Sequence, residues 1–299
     1  MKLPNEIKII EIGPRDGLQN EKLFLATKHK IALIKHLVES GFKEIEATSF
    51  VHPQWIPNLA DAEEVMEGIR DLPATFFALV PNERGYNRAV KSGVDGITFV
   101  LSATDSHSKK NLNRTTFDSI KEIATLVEEA KKDGLQYRAS VSTVFGCPFE
   151  GNPGFNRIRE ITEQLVKIGF QRIGFCDTIG IANPVQVYEW MSALLEEFKD
   201  IEFELHFHDT YGRGLSNVLA GIQAGVYSYD SSIGGLGGCP YAPGATGNIS
   251  TEDLVSLLHE MNIETGINTD NLANTSKILH SFLNRDLDSK IWRVAKSNS

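Results

Sequence analysis

The sequence has little of what would mark a secreted or membrane-bound chain. Its 299 residues include only three cysteines, Cys147, Cys176 and Cys239, which form no C-x-x-C pair and are odd in number. That usage fits a reducing cytoplasm and excludes a zinc-ribbon reading. No run of about 18 apolar residues is present to span a bilayer, and the N-terminus lacks the charged-then-apolar pattern of a signal peptide. Strand-like sequence already starts at Ile7, so no transit segment is expected ahead of it. Positive charge is scarce: 30 Lys and Arg stand against 39 Asp and Glu, for a net charge of -9. Such a balance argues against nucleic acid or an anionic membrane surface as partner, so any anionic ligand must be met by a local basic cluster. Also missing are a G-x-G-x-x-G after the first strand, which disfavours a dinucleotide-binding open sheet, and a lysine in the sixth strand, which disfavours a Schiff-base aldolase.

What is present is periodic. Four times a helical stretch ends in Gly plus an apolar residue and runs straight into a β-branched or aromatic segment, at Gly41-Phe42, Gly93-Val94, Gly169-Phe170 and Gly225-Val226. Gly in that place is the left-handed cap that stops a helix. With the remaining apolar runs the pattern predicts eight strands, at about 7–12, 43–49, 74–80, 95–101, 137–144, 171–176, 202–208 and 228–233. Amphipathic helices are expected between them, among them 28–39, 116–132, 156–167 and 185–198. Strict strand–helix alternation over eight units predicts an α/β fold, a (β/α)₈ TIM barrel. The whole chain, 1–299, is read as one domain: a barrel over about 5–250 and a short helical C-terminal extension over about 251–299. In the extension, helices are expected over 251–261, capped by Ser250, and over 270–283, capped by Thr269, with the last dozen residues frayed.

The seventh strand carries the strongest chemical signal. Alternation puts Glu202, Glu204, His206 and His208 on one face and Phe203, Leu205 and Phe207 on the other. Two imidazoles about 7 Å apart along a strand can converge on one metal ion, although a strand His pair can also be merely solvated. In a barrel, active sites form at the C-terminal strand ends, and these ends are occupied. Arg15 and Asp16 follow strand one, Glu46 closes strand two, Asp177 follows strand six, and a glycine-rich loop from Gly234 to Asn248 follows strand eight. Singly, each has an ordinary structural explanation: an ion pair, an interior carboxylate, a helix cap, a linker. Their convergence on one rim favours function.

Asp16, His206, His208 and Asn248 offer two oxygens and two nitrogens without a thiolate, which suits Mg²⁺ or Mn²⁺ better than structural zinc and leaves Zn²⁺ or Co²⁺ open. Cys239, in a glycine-rich loop able to fold over the site, is a candidate proton donor or acceptor rather than a ligand. Ser106 to Arg114, with Lys109 and Lys110, is the densest basic patch and is suited to the phosphates of a coenzyme A thioester.

Together these motifs resemble the 3-hydroxy-3-methylglutaryl-CoA lyases, within the metal-dependent barrel lyases and Claisen-type synthases. The resemblance is carried by Gly-Pro-Arg15-Asp16-Gly-Leu-Gln-Asn-Glu, Glu46, Asp177-Thr-Ile-Gly, His206-Phe-His208-Asp-Thr and Gly-Leu-Gly-Gly-Cys239-Pro-Tyr-Ala-Pro-Gly-Ala-Thr-Gly-Asn248. The Cys-bearing loop is its most specific part. The related synthases typically carry an acidic residue in place of the Cys and extend into a long regulatory domain, for which the roughly fifty residues after Asn248 are too few.

The resemblance implies cleavage of 3-hydroxy-3-methylglutaryl-CoA to acetyl-CoA and acetoacetate, in leucine breakdown. It also implies one divalent cation, substrate contacts from Arg15 and Gln19, and Arg15 stabilising the enolate. The base is then Asp177 or a metal-bound histidine such as His206, Cys239 protonates the carbanion, and Glu46 orients Arg15 or a metal-bound water. A homodimer in the cytoplasm is the expected form. The rivals are a Claisen-type acyl-CoA/keto acid synthase, a related 3-hydroxyacyl-CoA lyase, and a regulatory barrel without turnover.

Overall fold

Each glycine of the helix-to-strand junctions lies at positive φ, Gly41 at 110°, Gly93 at 72°, Gly169 at 103° and Gly225 at 108°, so the caps form where the sequence places them. The strands they launch close into an eight-stranded parallel barrel. The structure is a computed structural model that describes residues 3–238 and 247–297. Its strands are β1 (Lys8–Glu11), β2 (Glu44–Ser49), β3 (Thr75–Val80), β4 (Gly96–Ser102), β5 (Gln136–Ser142), β6 (Arg172–Asp177), β7 (Glu202–Phe207) and β8 (Ser228–Ser231), each within two residues of expectation at either end. Helices fill the connections, as in a TIM barrel. Among the described residues no helix is long and apolar enough to cross a membrane.

The alternation on β7 sorts as expected. Phe203, Leu205 and Phe207 are buried outward against the helices; Phe203 lies 5.4 Å from the Phe175 ring and Phe207 5.9 Å from that of Phe145. Glu204 and His206 face the lumen, which is charged rather than apolar. Arg138, in β5, donates to Thr98 at 3.0 Å, to Glu46 and Glu204 at 2.8 Å and to Asp230 at 3.2 Å. Below it Arg172 pairs with Glu44 and Glu204, and Lys8 with Glu44 and Glu202 at the lower mouth. The ring of Phe77 lies under both guanidiniums, 5.4 Å from Arg138 and 5.2 Å from Arg172. An isolated buried charge costs several kcal/mol, so this lumen is stable only because every member is paired and hydrogen-bonded.

Two expectations for the C-terminal part fail. The cap of helix Thr269–Leu283 is Asn268, whose side chain accepts from the Asn271 N–H, and Thr269 is the first helical residue. Both residue types cap well, so adjacent candidates are not separable by propensity. Among the described residues the end of the chain is not frayed either: Lys290–Ser297 is helical. The adjacent Ser289 accepts from the Trp292 N–H, and the sequence-distant Asp253 accepts from the Lys290 and Ile291 N–H groups, so the first turn is held by side chains. Trp292 is buried, with its ring 5.1 Å from that of His280. Trp292→Ala is expected to cost about 3 kcal/mol and to make this helix the first segment cut in limited proteolysis. Unchanged protease resistance would show that the helix docks without its tryptophan.

Candidate active site

The C-terminal mouth is built first by the turn after β1. Gly13–Gly17 forms a single π-helical turn, in which the Gly17 N–H donates to the Ile12 carbonyl at 3.4 Å. Such wide turns splay successive side chains, and here they bring Arg15 and Asp16 to the lumen together. Arg15 donates through Nε to Glu46 and through Nη1 to Asp16. Glu46 is fixed from below by Thr98 and Arg138. The register of β2 shifts just after it, between Glu46 and Thr48, a bulge that lets the strand end turn while Glu46 stays inward.

Asp16, His206 and His208 come together: one ligand atom from each lies within 4.8 Å of the others. His206 sits opposite Cys176 on β6 and Asp230 on β8. His208, just past the strand, forms a bridge to Asn248, which brings the end of the glycine-rich loop over the histidines. Asn248 donates from Nδ2 to Asp16 at 2.8 Å and to the Leu236 carbonyl at 3.0 Å. Gly237, at φ 116°, permits this approach, since a Cβ there would lie 2.5 Å from Asn248 Nδ2.

The electrostatics suit a cation. Burial pushes the Asp16 carboxyl up, but Arg15, followed by His206, His208 and the bond from Asn248, outweighs it and holds the group at about 2. Burial, reinforced by His206, drives His208 down to about 4, so its imidazole is neutral and able to bind a metal at physiological pH. Against burial, Arg15 and Arg138 hold Glu46 at about 2.

Two atoms test the fit of a metal directly: Asn248 Oδ1 and His208 Nδ1 are buried without a hydrogen-bond partner among the described residues, although buried acceptors are normally satisfied. Asn248, bonded to Asp16, lies beside the Asp16–His206–His208 cluster, so the four expected ligands are gathered at one place. His208→Ala is expected to lower Mn²⁺ affinity by at least tenfold, read by titration without substrate, and full metal stoichiometry at wild-type affinity would remove it from the ligand set.

Asp177 is placed differently from Asp16. Its carboxylate accepts from the Ile181 and Ala182 N–H groups, both at 3.0 Å, and so shapes the loop after β6. Burial raises it to about 6 despite those bonds. Gln19 is half-buried in the turn after β1. Lys109 and Lys110 stand exposed on a helix, Asp105–Leu112, with the Lys110 ammonium 3.8 Å from the Phe149 ring centre. Cys239 lies outside the described residues. The other two thiols are buried, and burial raises Cys176 to about 12. Sequence reasoning missed Arg138, Arg172, Glu204 and Asp230 as a working set; inward-facing charges on strands five to eight were the available signal.

The sequence profile of the HMGL-like family matches residues 6–279. The chain belongs to the HMGL-like family. It is 42% identical to the hydroxymethylglutaryl-CoA lyase YngG of Bacillus subtilis over the full length of both proteins. A crystal structure of the B. subtilis HMG-CoA lyase superposes with a TM-score of 0.96 at 42% identity, covering 99% of this chain and 100% of that one. A structure of an HMG-CoA lyase from Acinetobacter baumannii in complex with coenzyme A and 3-methylmalate gives 0.92 at 41% identity, over 97% of this chain and 95% of that one.

Proposed function

We propose that this chain is a divalent-metal-dependent carbon–carbon lyase that cleaves 3-hydroxy-3-methylglutaryl-CoA to acetyl-CoA and acetoacetate. The observation that carries this reading is the guanidinium of Arg15, pinned by Glu46 and Asp16 beside the Asp16–His206–His208 cluster, with Asn248 Oδ1 and His208 Nδ1 buried and unpartnered among the described residues. The names of the full-length relatives support the lyase over a Claisen-type synthase. A place in leucine breakdown, a homodimeric assembly and a cytoplasmic location go with the proposal.

Asp16, His206, His208 and Asn248 would hold Mg²⁺ or Mn²⁺, with Asn248 contributing Oδ1. A bound divalent ion supplies Lewis-acid polarisation of the tertiary hydroxyl and of a neighbouring substrate oxygen. The hydroxyl proton goes to Asp177 or to a histidine of the cation cluster: a carboxyl raised to about 6 is matched to proton uptake near neutrality, while Asp177 stands across the β6–β7 pairing from the outward-facing Phe207. The carbon–carbon bond then breaks: the alkoxide becomes the ketone of acetoacetate, and the electron pair passes to the thioester enolate of acetyl-CoA. Arg15 stabilises the enolate oxygen, and Cys239 returns a proton to its carbon, so protons balance without a co-reactant. Lys109 and Lys110 are assigned to the coenzyme A phosphates, and Gln19 to the substrate.

Product analysis tests the reading: purified protein with the thioester and Mg²⁺ should release acetoacetate and acetyl-CoA in equal amounts, and no acetoacetate would overturn it. In the same assay kcat/KM should fall as pH drops through the Asp177 range, at or below about 6, since protonation removes the base and a nearby cation can only move that limb lower. Unchanged kcat/KM in a metal-saturated Asp177→Asn variant would remove Asp177 from that role.

A further inference from the structure

The ion pairs around the mouth form a chain that begins and ends at the cation site. From Asp16 it runs through Arg15 to Glu46, from Glu46 Oε2 to Arg138 Nη2 at 2.8 Å, from Arg138 Nη1 to Asp230 Oδ1 at 3.2 Å, and from Asp230 Oδ2 to His206 Nδ1 at 3.7 Å. Asp230 lies directly across the β7–β8 pairing from His206, so the pleat turns both side chains inward at one level. Its neighbour Tyr229 points the other way, where its hydroxyl lies within hydrogen-bond distance of the Val218 and Val226 carbonyls and pins the strand.

We propose that Asp230 is a positioning residue for the cation site: its carboxylate, anchored by Arg138, holds the Nδ1 side of His206 so that Nε2 faces Asp16 and His208. The inference rests on the cation site proposed above and adds a residue that the ligand set does not contain. A histidine ligand commonly has its second nitrogen held by a carboxylate, which fixes the tautomer and the ring orientation. Here the separation of 3.7 Å is a charge contact that a small ring rotation converts to a hydrogen bond. Arg138 makes the arrangement a linkage rather than a pair. The same guanidinium fixes Glu46, which fixes Arg15, so one buried residue sets the positions of both the metal ligand and the cationic group opposite it.

Glu204 provides the control. It also pairs with Arg138 at 2.8 Å, but one register step below His206, beside Arg172. Asp230→Asn and Glu204→Gln each remove one carboxylate charge from Arg138, the second from Arg172 as well, and only the first removes the charge facing His206. Mn²⁺ affinity without substrate, by electron paramagnetic resonance of the free ion, is expected to fall about 10–100-fold in Asp230→Asn and by less than about threefold in Glu204→Gln. Asp230→Glu, which restores the charge on a longer arm, is expected to bind within about threefold of wild type. In kinetics at saturating metal, Asp230→Asn should lose kcat with little change in KM.

Equal loss of Mn²⁺ affinity in Asp230→Asn and Glu204→Gln would make the effect one of lumen charge and overturn the proposal. So would wild-type affinity in Asp230→Asn, or failure of both Asp230 variants to fold, which would make the residue structural. Failure of the wild-type protein to bind Mn²⁺ would instead remove the cation site itself.

Discussion

Arg15→Lys is expected to lower kcat by about 10²–10³-fold while KM for the thioester moves by less than about threefold. The guanidinium is held at two points, Nε on Glu46 and Nη1 on Asp16, and Nη2 has no partner among the described residues. That geometry leaves one preorganised donor for an oxygen whose charge appears only as the carbon–carbon bond breaks. Lysine keeps the positive charge but replaces the planar fork with a single ammonium, which cannot engage Glu46 and Asp16 and still present a fixed donor. Since the interaction belongs to the transition state, its loss falls on turnover rather than on ground-state binding. Steady-state kinetics at saturating Mg²⁺ measures the split. Near-normal kcat with a greatly raised KM would make Arg15 a residue that merely binds substrate.

The difference between what was and was not legible in the sequence follows from range. The eight strands and their caps are local: Gly41, Gly93, Gly169 and Gly225 announce each junction, and period-two alternation on β7 assigns the faces correctly. The gathering of the expected ligands was legible because barrel topology fixes where strand ends meet, so Asp16 and Asn248, 232 positions apart, could be placed beside His206 and His208. What stayed hidden depends on partners brought in by the fold. Arg138 is in sequence one charge on an ordinary strand, and only closure of the barrel shows it between Glu46, Glu204 and Asp230. Asp177 shows the opposite case: its place at a strand end was predictable, but the bonds from Ile181 and Ala182 that restrict it were not. The last helix was missed because its stability resides in Asp253 and Ser289 rather than in its own propensity.

Cys239→Ser should still bind Mn²⁺ and the thioester while losing turnover on the order of a hundredfold or more, the usual size of a missing general acid or base. Serine is close in size to cysteine but a much weaker acid, so the substitution changes proton delivery and little else. The loop from Gly234 to Asn248 holds six glycines, and its described ends already reach the site: Asn248 bonds to Asp16, and the Gly238 carbonyl accepts from Asn20 at 2.7 Å. The two remaining thiols supply an internal control. Cys176 is buried in β6, raised to about 12 by burial, and shares a contact of 3.3 Å with Ser140; Cys147 is buried beside Thr104, whose hydroxyl lies 3.1 Å from its sulfur. A thiol reacts as thiolate, so neither should label at neutral pH at a rate that competes with a reactive cysteine. Iodoacetamide is therefore expected to modify Cys239 first, by peptide mass analysis, and a saturating substrate analogue should slow that modification at least tenfold if the thiol meets the bound thioester. Wild-type turnover in Cys239→Ser, or labelling at one rate with and without the analogue, would end the proton-donor role, and the lyase reading would then rest on Arg15, the cation site and the family alone.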